Sequence, residues 1–471
     1  MCMRVFAAAV TAVLVLSACS VGPAYHRPQA PLPSVWQTQS SAQTPQWPGA
    51  QWWRAFGSGT LDDYVQQALA ASDDIAAAVA RVREADAQAR IAGAALLPAV
   101  AVGAEAIRQK TFIPTTRGAL APTYDEFSPA ASASYEIDFW GKNRAAKQAA
   151  VLAAYASRYD RETVVLTVLS GVASDYFQAL ESRDRLQVAL NNVANAQHIL
   201  DGLELEQRVG TANALDVAQQ ASVVAVENAS IPPLRQQLQQ SMDALAILLG
   251  RTPESLQFHD ASLGQISAPP VVAGLPSELL TRRPDVAEAE ADLHAANANI
   301  VEARAAFFPN VALTASGGLA STALNSVVVP GNQIFSLAGT ITQDIFEGGA
   351  LHGQYQYTRA RYAELLADYH KAVISAFSDV EQALVAVQQT AEQQQRQQVA
   401  TDAAQRAYSY AQQQMAAGIT NILTVLNTET TLFTAQDQLV QVKFQHLQAL
   451  VQLYQALGGG WQESEVTQAR L

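Results

Sequence analysis

The stretch ARAAFFPNVALTASGGL, Ala303–Leu319, changes its period at a proline. Up to Pro309 it closes a long Ala-rich helical pattern. Beyond it, Val311, Leu313, Ala315 and Leu319 fall on one side, with Asn310, Thr314 and Ser316 on the other. That two-residue period is the signature of a strand. About two hundred residues earlier, ARIAGAALLPAVAVGAEA (Ala89–Ala106) makes the same transition around Pro98. A helix that runs directly into a strand through a proline, twice in one chain, is the feature to explain.

Internal similarity extends outward from the two prolines. Pro309 lies 211 positions after Pro98, and at that offset Ile75–Val102 falls on Val286–Leu313. Ser132–Gln148 resembles Ala338–Gln354, with Asp138 set on Asp344. Gln207–Gln219 resembles Gln414–Asn427, with Gly210 on Gly418, Asn213 on Asn421, Leu215 on Leu423 and Val217 on Val425. Three collinear matches imply a duplication. The expected organisation is a signal segment at 1–18, an extended segment at 19–60, repeats at 61–257 and 275–458, and a tail at 459–471.

Each repeat reads as helix, strand, loop, strand, long helix, Gly turn, helix. The expected strands are about Leu97–Arg108 with Ser128–Phe139, and Phe308–Leu319 with Ile334–Phe346. Ten to twelve residues suit a tilted strand that crosses a bilayer. In SPAASASYEIDFWG, Ala131, Ala133, Tyr135, Ile137 and Phe139 share a face opposite Ser132, Ser134, Glu136 and Asp138. Tyr135, Phe139 and Trp140 then suit a headgroup-level girdle. The strand-tip stretches QKTFIPTTRGALAPTYDEF and ASTALNSVVVPGNQ read as exposed loops.

No proline interrupts Arg144–Arg208 or Leu351–Ala417. At ~1.5 Å per residue, each run is on the order of 100 Å long if continuous. Tyr362, Leu366, Tyr369, Val373, Phe377, Val380, Leu384 and Val387 recur at coiled-coil spacing, as do Leu432, Ala435, Leu439, Val442, Leu450, Tyr454 and Leu457. Gly458-Gly459-Gly460 reads as a flexible stop.

Hydrocarbon does not tolerate open sheet edges, so a spanning sheet must close on itself. Four strands cannot close, because bacterial barrels need about eight or more. Two copies would supply eight and three would supply twelve. Pro98 and Pro309 would sit at the helix–strand junction, where bonding within a segment changes to bonding between strands and a missing N–H is tolerable.

Composition bounds the class of partner. The chain has 471 residues, 15% of them charged, and a net charge of −13. An acidic chain without a basic stripe argues against a nucleic-acid partner, because binding phosphates needs clustered Lys and Arg. The first residues, MCMRVFAAAVTAVLVLSACS, form a basic and then apolar segment too short to span a bilayer. It ends in Leu16-Ser17-Ala18-Cys19, which resembles a bacterial lipobox with Cys19 as the lipidated residue; the same resemblance implies that Ser20, not Asp, after the cysteine directs the protein to the outer membrane. No later unbroken run reaches about 18 apolar residues, which predicts no transmembrane helix.

The stretches GLPSELLTRRPDVAEAEADLHAANANIVEARAAFFPNVALTA, YEIDFWGKNR, RVGTANALDV and LYQALGGGW resemble the outer-membrane efflux channel family, in its OprM/NodT-like lipoprotein branch and more distantly TolC. The resemblance implies a fold of long coiled-coil helices with four strands per protomer. A trimer would form one twelve-stranded barrel and a periplasmic α-helical tunnel, anchored by lipid in the outer membrane. It implies a passive exit duct for small molecules, loaded by a periplasmic adaptor and a proton-driven RND-type inner-membrane pump.

By the same resemblance, the turns Val209-Gly210-Thr211 and Ala417-Gly418-Ile419 are the adaptor-contact tips. Asp216, Thr420, Thr424 and Asn427 line the periplasmic gate. The second repeat departs from the family, with Thr420, Thr424 and Asn427 where relatives carry acidic residues or Arg. On the residues alone, Gly210 and Gly418 also fit plain helix stops, and Asp216 a helix-start carboxylate. Arg282–Val286, RRPDV, reads as a structural helix start.

Seven histidines without ligand spacing and one cysteine in the mature chain predict no metal, no cofactor and no enzyme. Two rival readings are a non-conducting envelope lipoprotein and an outlet for secreted polypeptides. The paired strands speak against the first, because a brace needs no spanning sheet.

Overall fold

The computed structural model describes residues 21–29, 33, 36–37, 47–115, 118–256, 262–270, 273–274 and 276–462. The described residues fall into two compact units. One holds Val82–Ser157 and Ala289–Tyr369 with residues 21–29; the other holds Arg158–Glu288, the described part of Ala30–Arg81, and the described residues from His370 onward.

The first unit contains a sheet. Strands β1 (Ala99–Lys110), β4 (Thr123–Glu136), β5 (Asn310–Leu319) and β6 (Gln333–Thr342) lie in the order β1-β4-β5-β6. All neighbours are antiparallel, with Ala99 opposite Ser134, Ala130 opposite Gly318 and Asn310 opposite Thr342. Alternation sets the faces. Val100, Val102, Phe335, Leu337 and Ile341 lie on one side and are 73–90% exposed. Gly318 is required by packing, since a Cβ there would stand 2.3 Å from the Pro129 carbonyl oxygen.

The stretch expected as an exposed loop at Gln109–Phe127 is partly strand. β2 (Ile113–Thr115) pairs with β3 (Gly118–Leu120), and β4 begins at Thr123. The cross-strand pairs there are polar, Arg108 facing Asp125 at 3.6 Å and Gln109 bonding Tyr124, so no apolar alternation announces them.

Helices α1 (Gly59–Ala71), α2 (Asp73–Ala94), α3 (Lys142–Arg208), α4 (Ala214–Leu248), α5 (Pro276–Leu279), α6 (Pro284–Ala305), α7 (Ala350–Ala416) and α8 (Ile422–Ala456) complete the element order. α3 and α7 each have 67 residues, and α4 and α8 each have 35. From the helix starts at Lys142 and Ala350, through Gly210 and Gly418, to Asn213 and Asn421, equivalent positions are 208 apart. The equivalence of Asp138 with Asp344 is therefore wrong by two residues. Glu136 corresponds to Asp344, Ile137 to Ile345 and Gly141 to Gly349. Asp138 instead caps α3, accepting from Asn143 N at 3.1 Å and Arg144 N at 2.9 Å.

The core of the second unit gathers Trp52, Trp53 and Phe56 from a 3-10 turn with Tyr176, Phe177 and Leu180 of α3, Leu249, and Leu450 and Tyr454 of α8. Burying each large side chain contributes about 1.5–3 kcal/mol relative to leaving it in water. Most of the predicted seam positions of α7 and α8 are buried, among them Tyr369, Val373, Val380, Leu432, Val442 and Leu450. α3 contains a stretch long and apolar enough on average to cross a membrane, contrary to the unbroken-run reading, but half of it is buried within the chain. Its Val168–Leu180 segment feeds the aromatic core.

Gly458–Gly460 is not a flexible stop. All three have positive φ, and a Cβ at Gly458 would lie 1.8 Å from the Arg282 carbonyl oxygen. Trp461 follows, buried and edge-on to Tyr159. The turn must be glycine because backbone approaches backbone. α4 carries Pro232 and Pro233 in its interior without ending there.

Candidate gate and tip surface

The two helix reversals are built alike. α3 ends at Gly210, φ +84°, with Gly210 N donating to Gln207 O and Thr211 N to Glu206 O at 2.9 Å. α7 ends at Gly418, φ +70°, with Gly418 N donating to Met415 O and Ile419 N to Gln414 O at 2.8 Å. Both are Schellman closures, which need a left-handed residue after the helix. A Cβ at either glycine would meet nothing within 4 Å, so backbone conformation alone selects glycine.

Around these turns exposed apolar side chains stand among exposed polar ones, Glu206 and Arg208 at the first turn and Gln413 and Gln414 at the second. Leu205, Val209 and Leu215 are 57–69% exposed beside Gly210, and Ile419 is 74% exposed beside Gly418, with Leu423 exposed near it. Thr211 and Ala417 are exposed as well.

Asn213 and Asn421 open the next helices. Asp216 N donates to Asn213 Oδ1 at 2.9 Å while Asn213 N donates to Asp216 Oδ2 at 3.3 Å, a reciprocal capping box. Thr424 occupies the equivalent place on α8. Its N and its Oγ1 both donate to Asn421 Oδ1 at 3.2 Å, and Thr420 Oγ1 donates to Thr424 Oγ1 at 3.0 Å. The fold keeps one cap geometry and drops the charge in the second copy. Asp216, Thr420 and Thr424 thus sit together with their own turns. Asn427 lies further along α8, in a groove of ≈ 660 Å³ with Gln397, Thr431, Thr434 and Gln438, all uncharged.

Two polar pairings between the helices carry no sequence signal. Glu429 is wholly buried between helices; its Oε2 lies 3.5 Å from Gln220 Nε2, which donates to Ala196 O at 2.7 Å. Glu429 Oε1 and Gln220 Oε1 have no hydrogen-bond partner. Burial raises the Glu429 pKa to about 7; Gln220 opposes the rise and the Glu227 carboxylate adds to it. Arg185 donates through Nε to Asp437 at 2.6 Å and through Nη1 to Glu181 at 3.0 Å, bracing α3 against α8. Partners 252 residues apart leave no spacing to read.

Pro98 and Pro309 each stand immediately before a strand, β1 and β5. Pro309 does more than fill the junction. Its carbonyl accepts from Trp140 Nε1 at 2.9 Å, and the Trp140 ring stacks on Phe308 at 4.8 Å. Pro284 is the first residue of α6, with Arg283 paired to Asp285 and Asp379 at 2.6 and 2.9 Å. Cys19 lies outside the described residues. Among the described residues no group of histidine, cysteine and carboxylates could hold a metal ion.

The model of the family described as outer membrane efflux protein matches residues 64–251 and 275–459. The pyoverdine export outer membrane protein OpmQ of Pseudomonas aeruginosa is 42% identical over 466 residues, covering 98% of each chain. The toluene efflux pump outer membrane protein TtgF of Pseudomonas putida is 32% identical over 461 residues, covering 95% of each. The open state of the Neisseria gonorrhoeae MtrE outer membrane channel superposes with a TM-score of 0.83 at 26% identity, over 94% of this chain and 98% of that one. The chain belongs to the outer membrane efflux protein family: it is an outer-membrane channel that serves efflux.

Proposed function

We propose that three copies form a passive exit duct of a tripartite efflux system. The observation that carries this reading is the sheet. β1 and β6 are open edges, and their outward residues Val100, Val102, Phe335, Leu337 and Ile341 are exposed apolar groups. Hydrocarbon accepts that face but not the edges, so further copies must supply the missing strands. Three copies make twelve, within the range of bacterial barrels.

The chain is organised as a signal segment to residue 18, a lipid anchor at Cys19, an extended segment to about 60, repeats at 61–257 and 275–458, and a tail from 459. The tips at Val209-Gly210-Thr211 and Ala417-Gly418-Ile419, with Val209 and Ile419 exposed, receive a periplasmic adaptor, and a proton-driven pump of the inner membrane loads the duct. Asp216, Thr420, Thr424 and Asn427 line the gate. Adaptor contact opens it by favouring the open arrangement over the closed one. The duct performs no chemistry of its own.

The cargo follows the relatives. The 42% identical protein is named for pyoverdine export, whereas the relative named for toluene efflux is more distant. A polar siderophore of the pyoverdine class is the first cargo to assign, and the uncharged hydroxyl and amide wall of α8 suits a solute rich in hydrogen-bonding groups. The test is conductance of the purified protein in a planar bilayer, followed by siderophore secretion from a deletion strain. Discrete channel openings and secretion restored by the wild-type gene are expected; a silent bilayer sinks the duct.

A further inference from the structure

The sheet of one chain contains the instructions for joining it to the next. Crossing the sheet along one line, Val100 on β1 lies opposite Ala133 on β4, and Ala133 lies opposite Ala315 on β5. Ala315 is the counterpart of Ala104, because β1 and β5 follow Pro98 and Pro309 at the offset of 211. Crossing one pair of strands therefore advances the register by four residues, from 100 to 104. The next line begins at Val311, the counterpart of Val100, and passes to Ile341 on β6. A closed barrel fixes strand tilt and stagger together, so equivalent junctions repeat the same step.

We infer that β6 of one copy pairs antiparallel with β1 of the next so that Ile341 faces Ala104, Thr340 faces Glu105 and Thr342 faces Gly103 of the second copy. This rests on the trimeric reading and adds its register. Side-chain parity supports it independently. Val311, Leu313, Ala315 and Gly317 share a face with Ile341, Gly339, Leu337 and Phe335, and by the β4 pairings with Val100, Val102 and Ala104. A slip by one residue would turn Thr340 and Thr342 toward lipid. A slip by two keeps the faces but breaks the four-residue step.

The same register extends β6 to Ile345. Within one chain Ile137 N donates to Val311 O at 2.8 Å, and the counterparts of these residues are Ile345 and Val100. Ile345 is 90% exposed and Val100 73% exposed in the single chain. The intermolecular seam lacks one element of the internal one. Trp140, which bonds Pro309 across the β4–β5 junction, has Gly348 as its counterpart, so no indole closes the base of the β6–β1 seam.

The geometry of the seam favours two pairs for a disulfide. Ile137 and Val311 form a hydrogen-bonded pair, so pairs an odd number of positions away, such as Ser132 with Ser316, are non-hydrogen-bonded and bring Cβ atoms closest. Their intermolecular counterparts are Thr340 with Glu105 and Thr342 with Gly103. In full-length protein in outer-membrane preparations, Thr340→Cys with Glu105→Cys, and Thr342→Cys with Gly103→Cys, should oxidise to covalent trimers that reduction dissolves. Thr340→Cys with Gly103→Cys, the two-residue slip, should not. Crosslinking by the slip pair instead, or by no pair while native sizing shows an intact trimer, overturns the register. A monomer in native sizing of the wild-type protein overturns the trimeric reading itself, a distinct result.

Discussion

Trp140 Nε1 donates to the carbonyl oxygen of Pro309 at 2.9 Å across 169 residues of sequence. The bond closes the base of the β4–β5 junction, where the strand pairing ends and no ladder continues. Trp140→Phe keeps a ring on Phe308 and loses only the hydrogen bond, a cost of about 1 kcal/mol. Trp140→Ala also loses the stacking and burial, and about 2–4 kcal/mol is expected. Thermal unfolding in detergent should rank wild type, Phe and Ala in that order; equal midpoints for Phe and Ala would show that the ring contributes nothing.

Glycine substitutions separate two causes. Gly210→Ala and Gly418→Ala meet open space but must hold a left-handed conformation, which costs roughly 1–2 kcal/mol each. Gly458→Ala adds a collision with the Arg282 carbonyl at 1.8 Å. The first two should fold with frayed tips seen by hydrogen exchange, whereas the third should fail to accumulate. Equal yields of all three would contradict the close approach at Gly458.

The Glu429 carboxyl makes the tip bundle pH-dependent. Its folded pKa of about 7 lies above the ordinary 4.5, so the native state holds the proton more tightly than the unfolded chain. Stability is then fully present below pH 4.5 and declines as pH rises through 7. The fall amounts to ~3 kcal/mol if this site acts alone. Gln220 and Glu227 of α4, Tyr408 of α7 and the Ala196 carbonyl of α3 face it, and no cation among these offsets the charge. Glu429→Gln should flatten the pH dependence of hydrogen exchange in the first turns of α8 between about pH 4.5 and 7. An unchanged slope would place the titrating group elsewhere.

Arg185 bridges Asp437 and Glu181, and Glu181 is 3% exposed. Removing the guanidinium strands a buried carboxylate, at a cost of about 3 kcal/mol. Lysine cannot reproduce the two-directional fork, so Arg185→Lys should recover less than half of the loss on a denaturant curve. Full recovery by lysine would reduce the site to simple charge pairing.

A gate at the turns makes its own prediction. Asp216→Cys combined with Thr420→Cys, oxidised in the assembled protein, should stop export while the assembly persists, and reduction should restore it. Undiminished export with the links verified on a gel would remove the gate from this level.

Much of the architecture was legible because periodicity is a local property. Pro98, Pro309 and the residues after them announce helix and strand without any partner. The Gly210 and Gly418 turns repeat with their Asn caps, and the recurrence of Tyr369, Val373 and Val380 gives the buried seam. What failed depended on geometry across the chain. Asp138 and Asp344 look equivalent because an aromatic lies near each, yet the sheet register shifts the match by two. Polar cross-strand pairs concealed the strand around Tyr124. Gly458–Gly460 looked like slack because a glycine's letter does not show whose backbone presses on it. Glu429 with Gln220 and Arg185 with Asp437 join residues more than two hundred positions apart, and no spacing rule reaches them.

The two prolines inside α4 have a mechanical effect. Pro232 and Pro233 have no amide hydrogen, so the carbonyls of Asn228 and Ala229 lack their helical donors, while the matching positions of α8 are Val440 and Gln441. One rod of the chain is therefore softened at a fixed level and its twin is stiff throughout. Any movement of such rods meets less resistance to bending at that level in one than in the other.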